Sequence, residues 1–179
     1  VMDEGQDIIK PVYLYSLDLL LKGGLEKGRW VIFYDEKQNI YNPEYKDGME
    51  IIESYFHTKF KLFINCRNTV QIGTYCAKTS GVEISEYLQE NGEEVQCISY
   101  SDTQDFKKKM KDLMKYLRSE KIVPSDVAFL APKKYANSIL HEADVEVNEL
   151  GDHYDSQSTL PKFATIQGFK GLDSKIVIL

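Results

Sequence analysis

What this sequence lacks narrows its class first. No apolar run approaches the roughly 20 residues that a helix needs to cross a bilayer. The first residues lack the basic-then-apolar order of a secretory leader. Both absences predict a cytoplasmic protein with no membrane partner. Cysteine is scarce: Cys66, Cys76 and Cys97 are odd in number and irregularly spaced, which speaks against a zinc site. They are expected as core thiols in a reducing compartment. An excess of positive charge is missing too, since 22 basic side chains face 28 acidic ones for a net charge of -6. A surface that gripped nucleic acid throughout would carry the opposite sign, so any such site must be a local groove. Internal repeats and low-complexity tracts are absent.

What is present reads as a folded domain, or as one domain plus a piece of another. The 179 residues are 42% hydrophobic, enough for a packed core. Short apolar runs alternate with amphipathic stretches, the pattern of an α/β layer fold. Strands are predicted over 30–34, 60–64, 95–100, 127–130, 163–166 and 175–179. Helices are predicted over 12–21, 47–56, 70–78, 105–118 and 134–142. The helix from Asp105 places Phe106, Met110, Leu113, Met114 and Leu117 at helical spacing. Its Lys107, Lys108, Lys109 and Lys111 are expected as a solvated outer face. Asn42, Pro43 and Glu44 mark a crossing between two units, and the polar stretch 151–160 before Pro161 reads as a surface loop.

Four clusters carry chemistry. Asp3-Glu4-Gly5-Gln6-Asp7 offers adjacent carboxylates, one able to hold a nucleotide-bound magnesium ion and the next to orient or deprotonate a water. An acidic surface turn would have the same composition. Trp30-Val31-Ile32-Phe33-Tyr34 runs into Asp35-Glu36-Lys37-Gln38-Asn39-Ile40-Tyr41. A glutamine just past a strand can bond a γ-phosphate and report its loss, and a simple turn is the alternative. Leu62 to Asn68 is a strand entering a helix, where Arg67 can reach across a cleft to charge on a phosphoryl group or form a surface ion pair. Thr165 to Asp173 holds Lys170 between Gly168 and Gly171, so that backbone N–H groups and Thr165 can approach a phosphate chain.

Taken in order, the four clusters resemble motifs of the superfamily 1, UvrD/Rep-like, ATP-dependent DNA helicases. Asp3 to Asp7 is similar to the Walker B box D-E-A/G-Q-D. Asp35 to Tyr41 is similar to G-D-x-x-Q-S-I-Y, with Tyr34 for glycine and Asn39 for serine. Leu62 to Asn68 is similar to L-x-x-N-Y-R-S, with Cys66 for tyrosine. Thr165 to Asp173 is similar to T-x-H-x-x-K-G-L-E, with Gln167 for histidine and Asp173 for glutamate. The resemblance spans essentially the whole chain.

That resemblance implies a RecA-like, P-loop NTPase-like fold: a mostly parallel sheet with helices on both faces, truncated at both ends. Residues 1–41 would be the tail of a first motor domain, and residues 42–179 a second one, incomplete at its C-terminus. It implies that Asp3 ligates Mg²⁺, Glu4 positions or activates the water, Gln38 senses the γ-phosphate of ATP, and Arg67 is an arginine finger. Asp173 would meet the ribose. Thr165, Gln167 and Lys170 would face single-stranded or partly duplex DNA, and Tyr41 would stack on a base or pack on the neighbouring helix. The spacing from Asn68 to Thr165 leaves no room for a large accessory insertion.

No G-x-x-x-x-G-K-[ST] phosphate loop occurs anywhere in the sequence. The loop is expected from the rest of the same motor domain, a partner for this chain. The chain alone is therefore expected to be inactive toward ATP. The start at Val1 ahead of the acidic cluster, and the end at Leu179 within an apolar run, carry the same expectation of a larger fold. The substitutions at positions 34, 167 and 173 leave a second reading, a non-catalytic helicase-like docking module.

Overall fold

Met2 and Ile32 form a single parallel bridge in the computed structural model, which describes residues 1–81, 86–89, 92–151 and 154–179. After that bridge the chain turns into α1 (Gly5–Ile8). Pro11 then occupies the first turn of α2 (Pro11–Leu20), where its missing N–H would have no partner in any case. Asp18 accepts from the Leu25 N–H at 2.7 Å and so receives the start of α3 (Gly24–Lys27). In α4 (Tyr45–Glu53), Tyr45, Gly48 and Ile52 recur at helical spacing and are buried. Tyr45 and Ile52 close over Ile9, Leu14 and Leu25 in one apolar cluster, with Trp30 and Ile32 at its margin.

Beyond this cluster lies a second motif of the same compact unit, which spans Val1–Glu93. Strand β1 (Ile64–Thr69) leads into α5 (Val70–Ser80), capped by the Thr69 hydroxyl, and on to β2 (Glu86–Gln89), which pairs with β1 in parallel. The strand expected over 60–64 is thus displaced into the polar residues that follow. Asn65 accepts from the N–H groups of both Arg67 and Asn68, and the register shifts between Asn65 and Thr69. A bulge is what lets such a polar run pair at all. Phe60 and Leu62, on the strand expected over 60–64, are 90% and 89% exposed. The three cysteines are exposed as well. That overturns their assignment as core thiols, because Cys66 lies on this little-buried β1, Cys76 on α5, and Cys97 in a stretch outside the described helices and strands.

The second unit, Glu94–Leu179, is built on amphipathic helix α6 (Thr103–Ser119). Asp102 caps it by accepting from the Asp105 N–H at 2.9 Å. Strand β3 (Val127–Ala131) follows, then a 3-10 turn at Tyr135–Asn137 and the short α7 (Ile139–Glu142). The single helix expected over 134–142 is split at Ser138, whose backbone is extended and whose hydroxyl caps α7. Strands β4 (Asn148–Glu149), β5 (Lys162–Thr165) and β6 (Ile176–Ile178) complete a four-stranded sheet of order β4-β5-β3-β6 with every pair parallel. Phe129 pairs in register with Phe163, and both meet Phe106 and Met110 of α6 and Leu140 of α7. Burying each such side chain stabilises the unit by about 1.5–3 kcal/mol.

Two expected features differ. Residues 95–100 form no strand with any described residue, and Tyr100 instead sets its ring edge against Phe106 at 5.0 Å. The lysine face of α6 is only partly free in water, since Lys107 bonds Asp144 and Lys109 bonds Asp105. The loop at 151–160 is irregular where described, and Asp152 and His153 lie outside the described residues. The chain is therefore a mixed α/β protein with parallel sheets. Among the described residues no helix is long and apolar enough to cross a membrane.

Candidate functional site

The acidic cluster owes its shape to a short backbone ladder. Met2 donates to Val31 at 2.9 Å, Phe33 donates to Met2 at 2.9 Å, and Gly5 donates to Phe33 at 2.8 Å. Between these fixed points the chain must turn, and Glu4 takes the strain with φ 51° and ψ 40°. A left-handed conformation costs a residue with a Cβ roughly 1–2 kcal/mol. Gly5 admits the close approach that follows: a Cβ there would meet Ile32 Cγ2 at 2.6 Å and the Phe33 carbonyl at 3.0 Å. Asp3 and Glu4 are both exposed at the end of this ladder, and Asp3 Oδ1 accepts from the Glu4 N–H at 2.9 Å.

The ladder also brings the second cluster alongside. Asp35 begins a 3-10 turn, Glu36–Gln38, and its carboxylate holds both ends of it. One oxygen accepts from the Lys37 N–H at 3.0 Å and the other from Gln38 Nε2 at 2.8 Å. The turn is joined to the acidic cluster by Gln6. Its Nε2 donates to Glu4 Oε2 at 2.5 Å, and its Oε1 accepts from the Asp35 N–H at 2.9 Å. Asn39 closes the far end: its side-chain amide donates to the Asn42 carbonyl at 3.0 Å and accepts from the Asn42 N–H at 3.1 Å. Asn42, at the boundary expected between residues 41 and 42, lies inside the first unit and is 3% exposed. Tyr34 stands where the resembled motif has glycine, and its ring lies 6.3 Å from that of Tyr45. Tyr41 is half exposed.

Arg67 belongs to the same compact unit, on exposed β1, and makes no ion pair among the described residues. Among the described residues its side chain is not part of the network that holds Asp3, Glu4 and Gln38.

The fourth cluster belongs to the second unit. Ile166 donates to Ala131 at 3.0 Å, which sets the loop after β5 beside the carboxyl end of β3. In parallel α/β sheets that edge is where ligands bind. Thr165 Oγ1 accepts from the Gly168 N–H at 3.0 Å, and Phe169 donates to the Thr165 carbonyl at 3.0 Å. Gly171 carries φ 81°, which admits the last turn before β6. Gln167 and Asp173 are exposed, and Lys170 is half-buried.

Of the residues singled out in the sequence, Asp3, Glu4 and Gln38 are drawn into one network, and Thr165, Gln167 and Lys170 into one loop. Gln6 and Asn42 carry that network without having been assigned any role. An uncharged amide between carboxylates was the one signal for Gln6. Among the described residues no three His, Cys, Asp or Glu side chains are placed to hold a metal by themselves. Comparison with protein-family models, with curated proteins and with solved structures finds no match to this chain.

Proposed function

We propose that this chain is part of an ATP-driven motor that moves along or unwinds single-stranded or partly duplex DNA, built on RecA-like sheets. The observation that carries the reading is the joining of Glu4 to the Gln38 turn through Gln6 and Asp35. Hydrolysis needs a water-orienting carboxylate and a γ-phosphate sensor held at fixed separation, because phosphoryl transfer is mostly positioning and electrostatics. The order of the four clusters in the sequence supports the same reading.

The donor set fits half of a magnesium–nucleotide site. Magnesium is usually held by one or two carboxylates plus substrate phosphates, and Asp3 would be such a carboxylate. Bound there, the ion would neutralise charge on the β- and γ-phosphates. Asp3 would hold it, Glu4 would orient the water and take its proton, and Gln38 would read the γ-phosphate. Arg67 would supply positive charge to the transferring group, and Asp173 would meet the ribose. Thr165, Gln167 and Lys170 would line the path of the DNA backbone, with Tyr41 a platform for a base. The phosphate cradle would come from another part of the motor.

The test is ATP turnover by the full-length gene product with and without single-stranded DNA. Turnover that DNA stimulates supports the motor, and none at all leaves the non-catalytic docking module as the better reading.

A further inference from the structure

Gln6 has no role in the chemistry above, yet it is 1% exposed and bonded at both ends of its amide. Its orientation is set by its partners. The Asp35 N–H can only donate, so the amide oxygen must face it, and the amide nitrogen is left to donate to the Glu4 carboxylate. Asn42 pins the same residue from behind, donating to the Gln6 carbonyl at 3.0 Å and to the Ile9 carbonyl at 2.8 Å. One planar, buried amide therefore spans from Glu4 to the residue whose carboxylate grips Gln38.

The geometry points to Gln6 as a positioning residue that holds Glu4 and the turn carrying Gln38 at a fixed separation. The inference rests on the motor reading. Phosphoryl transfer depends on positioning, so a water-orienting carboxylate and a γ-phosphate sensor tied through one buried amide keep their mutual geometry only while that amide is in place.

Two measurements on the full-length protein test it. In hydrogen exchange, Glu4→Leu removes the acceptor for Gln6, and amides 35–39 exchange about tenfold faster while those of α2 do not change. In a Gln6→Met background the same Glu4→Leu change adds nothing. In kinetics, Gln6→Met lowers DNA-stimulated kcat by about 10- to 100-fold, with KM for ATP within about twofold. Combined with Gln38→Ala, it is no slower than the slower single variant. Independent, multiplicative losses, or an unchanged exchange rate at 35–39, overturn the positioning role and leave the motor standing. Absence of turnover in the unaltered protein overturns both.

Discussion

Asn42 gives both hydrogens of its side-chain amide to the end of α1, one to the Gln6 carbonyl at 3.0 Å and one to Ile9 at 2.8 Å. Its amide oxygen accepts from the Glu44 N–H at 3.1 Å, where α4 begins. One side chain thus satisfies the termini of two helices whose own backbones cannot.

Asn42→Ala should be among the most destabilising single changes in the first unit. It strands two carbonyls in a site that is 3% exposed, and a stranded buried group costs about 1–3 kcal/mol. Chemical denaturation read by Trp30 fluorescence measures the loss. Asn42→Asp should do no better, since a carboxylate facing two carbonyls has nothing to donate.

Tyr45 presents the opposite case. Its ring is buried and its hydroxyl has no hydrogen-bond partner among the described residues. Burial first, then the nearby Glu36 charge, pushes the phenol well above its ordinary value of 10.0. The folded protein keeps the phenol neutral while an unfolded chain ionises it. Its contribution to stability is therefore full below the ordinary tyrosine value and falls as pH rises beyond it. Tyr45→Phe should leave neutral-pH stability unchanged or raise it by about 1 kcal/mol. It should also flatten the alkaline decline, as melts between neutral and strongly alkaline pH would record.

On the acid side the sensitive group is Asp105. The Lys109 ammonium at 2.8 Å, and then the Ser101 N–H at 3.0 Å, hold its carboxyl below the ordinary 3.8. A depressed folded value gives stability that is present above the ordinary range and lost as pH falls through the lowered one. Asp105→Asn should lower the melting temperature near neutral pH and converge with the unaltered protein at strongly acidic pH. Parallel curves at all pH values would deny the effect.

The 179-residue chain by itself should not bind Mg·ATP tightly, because its sequence has no phosphate-loop lysine or hydroxyl to hold the phosphates. Titration with a fluorescent ATP analogue should show no saturable binding in the micromolar range.

Much of the second unit was legible in the sequence. Val127–Ala131, Lys162–Thr165 and Ile176–Ile178 are short apolar runs of the kind that parallel strands require, and α6 repeats its apolar residues at helical spacing. The first unit was less so. Strand β1 is polar and is held by a bulge at Asn65, which no alternation of residue types announces. Residues 95–100 have the apolar content of a strand but no partner strand among the described residues, and residue pattern says nothing of partners. In the site, the acidic pair and Gln38 stood out by residue type. The bond that unites them did not, because Gln6 reaches Asp35 across 29 positions. Local pattern carries no record of such a distance.

The most direct test of the motor is DNA-stimulated ATP turnover by the full-length protein carrying Glu4→Gln or Arg67→Ala. Glu4→Gln keeps an acceptor for Gln6 and removes only the basic oxygen, so the site should hold its shape. The motor reading predicts a loss of about 100-fold or more for Glu4→Gln, and of about 1,000-fold for Arg67→Ala. Turnover that survives both substitutions unchanged would contradict it.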